Sequence, residues 1–595
     1  MIGDQLRILE SYGLVRLAQS EPELEYLFRH ALVQEAAYGS LVKADRRGLH
    51  LAVGETLERL YPDRLTSQEL APVLARHFYG GGDDERALKY FTQAGDAAAR
   101  VYANVEVVMH YSRALEVARL LGADGEHIIH LYAGLGRALE LKAEYHKALR
   151  AYGEMEELAR ERADRAMALE ALLARAKIHA TPNLVQDPAR AQTLLRQALD
   201  LALELGDRAA EAKILWNLMI LIVFGGGDER QAAAYGERSL AVAREFNLRE
   251  QLAFTLNDIY YAYSETGDVE RARAAHAEAR ELWREFGNLP MLADNLFLSS
   301  VGAFYGGDFA QALAFSEEAS RIATSIGNDW GRVNGPFITG LCYIERGEPD
   351  RGIAITEEAI ALGESIGHVQ ALTATRAELA RAYASLGAIR RGLALARVAR
   401  AEAERIFQRA LPWTLAHLAR LCLLSGDLAE AEAALAELRN YPDLMRQLSF
   451  FPPAWANAAL AEGEYALMKG DQARAIAAMD ALYRNLRRSG VRLFIPDALR
   501  LKAQALLALG RLDEACGGLQ EGRAEAEALE SRRSLWLLLA SLAEVEARRG
   551  NDAEAHALRR RASEIVNFIA GHIATPELRE SFLALPDVRE VQRET

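Results

Sequence analysis

The stretch GLCYIERGEPDRGIAITEEA, residues 340–359, decides the fold. It holds a glycine, Gly347, flanked by small residues at Gly340 and Gly352 and followed at once by an acid, Glu348. The pattern returns along the chain: Gly227, Gly267, Gly307, Gly347, Gly387, Gly426, Gly470, Gly510 and Gly550 recur about every forty residues. Self-similarity at such a period marks a stack of repeated supersecondary units.

Each repeat carries the same small residues. Five positions after the glycines stand Ala232, Ala272, Ala312, Gly352, Gly392, Ala431, Ala475, Ala515 and Ala555. Seven positions before them stand Ser300, Gly340, Ala380, Ala419, Gly463, Ala503 and Ala543, with the bulky Ile220 and Tyr260 as exceptions. A glycine between two helices takes the left-handed conformation that ends the first. The acid after it, as in Asp228, Asp268, Asp308, Glu348, Asp427 and Asp471, starts the second. Small residues at fixed offsets let two antiparallel helices approach closely while leucines and aromatics fill the remaining space. The unit is a helical hairpin.

This pattern, clearest in Gly340, Tyr343, Gly347, Gly352 and Ala359, resembles the tetratricopeptide repeat, whose usual period is about 34 residues. The longer period resembles the variant found in bacterial signalling ATPases. The expected fold is all-α: a tetratricopeptide-like solenoid with a short N-terminal winged-helix remnant. Residues 1–62 form that remnant and a linking helix. Irregular hairpins follow over 63–205, regular repeats over 206–563 and capping helices over 564–595.

Composition narrows the function classes. A net charge of −14 argues against a general nucleic-acid binder, which neutralises phosphates with clustered basic residues. Arginine outnumbers lysine 62 to 8, a bias expected of a GC-rich bacterial genome. Cys342, Cys422 and Cys516 lie in separate repeats and match no metal spacing, so they read as small core residues of a reducing compartment. No apolar window reaches the eighteen or so residues that a membrane helix needs, and the expected location is cytoplasmic.

Outside the repeat, a helix from Gln5 to Ser11, an apolar stretch at Leu14, Val15 and Leu17, a polar turn over 19–23 and a segment through Tyr26 and Phe28 read as helix, strand, turn, strand. One long helix is expected from Ala31 to Leu60. The run Phe28-Arg29-His30-Ala31-Leu32-Val33-Gln34-Glu35-Ala36-Ala37-Tyr38, with Arg46, Arg47, Leu49 and His50 after it, is similar to the junction between winged helix and sensor repeats in STAND-type signalling ATPases. Among these are bacterial proteins fused to class III adenylate or guanylate cyclase domains, whose closing segment resembles Pro576-Glu577-Leu578-Arg579-Glu580-Ser581-Phe582-Leu583. The resemblance implies that His30 contacts the phosphate of a nucleotide held on an ATPase module. The alternative is a histidine that only caps the helix beginning at Ala31. Met1 falling inside the winged-helix pattern predicts that such a module lies on a neighbouring polypeptide or a longer parent chain.

No catalytic constellation stands in this sequence. A phosphate loop needs Gly-Lys-Ser or Gly-Lys-Thr, and no Gly-Lys pair occurs; Gly80-Gly81-Gly82 and Gly225-Gly226-Gly227 each precede an aspartate at a repeat turn. No residue pattern asks for a cofactor or a metal. In a tetratricopeptide array the first helix of each hairpin lines the concave face, at positions ten and six before the turn glycine. Those offsets place Asn217, Asn257, Phe297, Phe337 and Arg500 in a groove, together with Tyr261, Leu341, Arg381, Arg420 and Gln504. Asparagines pair with a peptide backbone, aromatics give contact area, and arginines fork onto carboxylates. Phe297, Phe337 and Leu341 equally suit packing between hairpins.

The expected function is a non-catalytic sensor or scaffold that binds a protein, peptide or small inducer and regulates a STAND-type ATPase or cyclase. Alternatives are the regulatory tail of an ATP-dependent adenylate or guanylate cyclase, and the sensor part of an activator resembling the maltose-regulator type. The prolines at Pro442, Pro452 and Pro453 predict a loop or bend in the stack, and the broken rhythm at Ile220 and Tyr260 marks the first place to seek a specialised site.

Overall fold

Aspartate caps and left-handed glycines build the repeat. Asp268, Asp308, Asp427 and Asp471 each accept a hydrogen bond from the backbone amide three residues on, and Asp228 from the amide two on. Glu348 makes no such bond, and its helix instead opens on Pro349. Of the period glycines, all but Gly227 hold a positive φ, from 74° at Gly510 to 89° at Gly307. The computed structural model describes residues 2–19, 25–61, 69–181, 183–225, 227–406, 408–441 and 452–593.

A second glycine beat lies half a period away. Gly287, Gly327 and Gly367, with φ of 63°, 63° and 71°, end the second helix of each hairpin as Gly267, Gly307 and Gly347 end the first. The result is an all-α, tetratricopeptide-like solenoid of helical hairpins. The small-residue code is the seam inside each hairpin. A β-carbon at Gly340 would stand 2.8 Å from the Gly352 carbonyl oxygen, and one at Gly392 2.7 Å from that of Ala380.

The chain divides into two compact units, Met1–Ala171 and Leu172–Thr595. In the first, helix Ile2–Ser11 leads into antiparallel strands Val15–Gln19 and Glu25–Phe28, with Val15 opposite Phe28. The polar turn expected over 19–23 falls mostly outside the described residues. The single helix expected from Ala31 to Leu60 is two helices, Ala31–Ser40 and Lys43–Leu60, separated by extended backbone at Leu41 and Val42. Gly39 and Ser40 are weak helix formers, and their position accounts for the break. Helix Lys43–Leu60 packs on Ala71–Gly81, where a β-carbon at Gly54 would meet the Phe78 ring at 2.9 Å. Hairpins stack from there around Phe78, Tyr90, Tyr111 and Tyr132.

In the second unit, among the described residues, nine first helices run from Arg208–Gly225 to Arg532–Arg548, each paired with a second helix. Pro452 and Pro453 open helix Pro452–Met468, because the first turn of a helix has no amide bond for proline to remove. Pro442, Phe450 and Phe451 lie outside the described residues. Cys342, Cys422 and Cys516 are buried, and burial pushes the Cys422 thiol up to about 12.

This unit coils until it touches itself. The amides of Arg492 and Leu493 donate to the Tyr305 carbonyl at 2.8 and 3.1 Å. Further on, Asp350 accepts from the amides of Ala574 and Thr575, just before the terminal helices Pro576–Leu583 and Pro586–Arg593. One apolar core consequently runs through Phe337, Trp413, Trp455, Phe494, Trp536 and Phe582.

A methyl group placed in the hairpin seam should be costly. Gly352→Ala, whose β-carbon would overlap the Gly340 carbonyl, is expected to lose about 1–3 kcal/mol in thermal or denaturant unfolding. Gly517→Ala, a helical position with no atom within 4 Å of the added carbon, should be neutral or slightly stabilising.

Candidate functional site

The stripe expected to face the groove is wider than two positions per repeat. On a helix, side chains seventeen, thirteen, nine or ten, six and two residues before the turn glycine share one face. Charged and amide groups concentrate on that face in two distinct settings.

From Tyr305 onward the stripe is filled by the chain itself. Glu345, 0% exposed, receives Arg381 Nη1 at 3.1 Å from the next hairpin, Arg533 Nε at 2.8 Å and the Ser531 hydroxyl at 2.9 Å. Arg533 reaches on to Asp497 at 3.0 Å. Arg381 also binds Glu378 at 2.9 Å, and Glu378 accepts from Trp413 Nε1 and lies 3.1 Å from His417 Nε2. Arg420 donates to Asn457 and Glu464, both at 2.7 Å. Burial alone would raise Asp497 and Glu378. Arg533 and Arg420 instead hold Asp497 down to about 2, and His417 with Arg381 holds Glu378 well below the usual carboxylate range.

Of the residues expected in the groove, Arg381 and Arg420 are thus counter-ions for internal acids. Arg500 lies nearby with its buried Nε unpartnered, while Phe337 and Leu341 sit in the core. Gln504 is exposed.

Hairpins 208–306 differ. Asn257, fully buried, donates through Nδ2 to Asp258 at 3.1 Å and Asp294 at 3.2 Å, and its Oδ1 accepts from Asn295 at 2.9 Å. Trp216 Nε1 donates to Asp258 at 2.7 Å from the preceding hairpin. No arginine joins this pair among the described residues. Burial raises Asp258 to about 6, against the pull of Asn257, Trp216 and Lys177; burial and then the Asp258 charge raise Asp294 to about 7. As whole residues both are half-buried. Asn217 is buried beside Trp216, its Nδ2 bonded to the Lys213 carbonyl and its Oδ1 unpartnered. Tyr261 is half-buried against Tyr260, and Phe297 packs edge-on to Trp330 at 5.2 Å.

The structure therefore gathers Asn217, Asn257 and Tyr261 in neighbouring hairpins and separates them from the arginines. Sequence reasoning missed Trp216, Asp258, Asp294, Glu345 and Arg533. For Asp258, Asp294, Glu345 and Arg533 the signal was present as charged groups on otherwise apolar first helices, at offsets of the same stripe that were not read; Trp216 stands eleven before its turn glycine, beside the stripe. His30 stands apart in the first unit, exposed, at the N-cap of Ala31–Ser40 but without a side-chain capping bond. Among the described residues no group of three or more His, Cys, Asp or Glu side chains is placed to hold a metal, and no helix is long and apolar enough to cross a membrane.

No protein family and no curated protein matches this sequence. Two solved structures to which the chain is similar are yeast Tom70 and the APC/C hetero-tetramer Cut9–Hcn1. Tom70 shows 15% identity and a TM-score of 0.29 over 86% of this chain and 100% of that one. Cut9–Hcn1 shows 12% identity and a TM-score of 0.41 over 91% of this chain and 98% of that one.

The two settings titrate with opposite sign. Asp258 and Asp294 have folded pKa values above the unfolded value near 4, so their contribution to stability is full below about pH 4 and is lost as pH rises through about 6–7. Asp294→Asn should therefore stabilise the protein by about 2 kcal/mol at pH 8 and change nothing near pH 4, read from unfolding midpoints across that range. Asp497 and Glu378 act the other way, being stabilising at neutral pH and losing that contribution as pH falls below about 4. Reversing their partners in Arg381→Glu with Arg420→Glu should cost at least about 3–5 kcal/mol, the scale for an unpaired buried charge, and lower the melting temperature before any binding is assayed.

Proposed function

We propose that this chain is a non-catalytic sensor and scaffold that docks through residues 1–62 on a STAND-type ATPase module and presents its solenoid to a protein, peptide or small inducer. The observation that carries the docking half is helix Ala31–Ser40, which has no buried residue and holds Leu32 78% exposed. Ile8, Tyr12, Leu27 and Phe28, on the helix and strands that precede it in the chain, are exposed too. A concentration of uncovered apolar side chains within one short segment is a mark of an interface. It coincides with the segment whose sequence resembles a winged-helix junction.

His30 belongs to this reading. Exposed and free of a capping role, it is available to a phosphate on the docked module. The solenoid supplies the sensing half. Its inner face at Asn217, Asn257, Tyr261 and Phe297 is the stretch with acids not neutralised by the chain's own arginines, which suits a ligand bearing an amine or guanidinium. Phe337, Arg381, Arg420 and Arg500 hold the adjoining wall in shape.

An ATPase module from a protein with the same junction sequence, expressed separately, should associate with this chain in sedimentation or light scattering. Leu32→Asp should weaken that association about tenfold or more while leaving the unfolding midpoint unchanged, since Leu32 is exposed. Equal association by the variant would refute the docking surface. In the joined assembly, His30→Ala should shorten nucleotide retention, and equal retention would remove His30 from the role.

A further inference from the structure

A cleft of about 940 Å³ opens where the second unit comes round on itself, between hairpins 249–325 and the turns at 487–492 and 528–530. Its walls are tied by the two amides that donate to the Tyr305 carbonyl, and by Leu529, which lies so close to Gly307 that a β-carbon there would overlap it. Tyr260 helps to shape it. Its ring stacks on His276 at 4.0 Å and 14°, and its hydroxyl fills the space that a β-carbon at Gly302 would need.

The lining charges can be assigned one by one. Arg487 and Arg492 both bind Glu525, at 2.9 and 2.8 Å, and Arg273 lies 3.7 Å from Glu270. Among the acids, Asp268 and Asp308 cap helices, and Glu530 binds Arg346 at 3.0 Å. Arg280 is left over. Half-buried, it donates from Nη1 to the Ser299 hydroxyl at 3.1 Å and to Asn295 at 3.5 Å, with its guanidinium 4.6 Å from the Phe315 ring centre. No carboxylate lies within ion-pair reach of it among the described residues. The nearby acids Glu281 and Glu318 are both taken by Arg284, at 3.0 and 3.1 Å. Burial, and then Arg284, pull the Arg280 pKa down, so the structure bears a cost for this charge.

A relay holds the guanidinium in place. Burial keeps His276 neutral, with a pKa of about 3, and its Nε2–H donates to the Asn257 carbonyl at 2.8 Å. Its Nδ1 is then an acceptor for the Ser299 hydroxyl, 3.4 Å away, which leaves the Ser299 oxygen to receive Arg280. The remaining nitrogens of Arg280 have no partner among the described residues, and a fork of this kind matches an oxyanion. Arg488, exposed on the facing turn, also has no carboxylate paired to it among the described residues.

We infer that this cleft binds a small organic anion, its carboxylate or phosphate held by Arg280 and its apolar body lying between Phe315 and Leu529. An anion that also meets Arg488 bridges two successive turns of the coil. The inference deepens the sensor reading and rests on it only for the ligand's role as a signal. Binding itself requires no ATPase module, so failure of docking and failure of this site are separate results.

The experiment titrates the full chain with phenyl phosphate, benzoate and inorganic phosphate at fixed ionic strength, by calorimetry, with amide hydrogen exchange on the same samples. Saturable binding of phenyl phosphate or benzoate is expected, weakened about tenfold or more by Arg280→Gln and unchanged by Arg332→Gln, a half-buried arginine outside the cleft that pairs with Asp329. Ser299→Ala, which keeps every charge but releases Nη1, should weaken binding by a smaller factor, and it serves if Arg280→Gln fails to fold. Exchange should slow at the Arg492 and Leu493 amides. Inorganic phosphate binding as tightly as phenyl phosphate would remove the apolar subsite and overturn the organic class. Absence of saturation with all three probes, equal affinity in both variants, or protection confined to other segments would overturn the site.

Discussion

A single buried carboxylate organises the second unit. Glu345 has no exposed surface, and its two oxygens are divided among Arg381 of the next hairpin and Arg533 and Ser531 of a hairpin far along the chain. A charge taken this far from water is tolerable only when its partners are fixed in place. The partners here belong to helices that sequence order alone would keep apart. Satisfying Glu345 therefore requires the coil to have a definite curvature, and the apolar core from Phe337 to Phe582 closes under the same condition.

Much of the hairpin was legible in the residues. The turn glycines, the aspartate caps and the small pairs such as Gly340 with Gly352 are local, and local chemistry repeats visibly. The glycine beat at Gly287, Gly327 and Gly367 was equally local and was overlooked because the first beat already explained the period. The break at Leu41 and Val42 was signalled weakly by Gly39 and Ser40. Curvature was not legible. It shows in contacts between hairpins far apart in the chain, such as Glu345 with Arg533 and Tyr305 with Arg492, and no one repeat states it.

The candidate site divides along the same line. Asn217, Asn257 and Tyr261 were found because the stripe of a helix is a sequence property. That Arg381 and Arg420 already hold partners depends on which helices the coil brings together. The same stripe thus carries acids held low by arginine at one end and acids held high by burial and mutual repulsion at the other. Asp497 and Asp294 show the contrast within a single unit. Burial is common to both settings, and the presence of a guanidinium decides between them.

Solenoids ordinarily vary by gaining or losing whole repeats, since each unit touches only its neighbours. The bond between Glu345 and Arg533 spans 188 residues and removes that freedom. Duplicating or deleting one hairpin between them would carry Arg533 past its carboxylate by a full unit. Within this stretch the copy number is no longer a variable that evolution or an engineer can adjust one step at a time; it is as fixed as the strand number of a closed barrel.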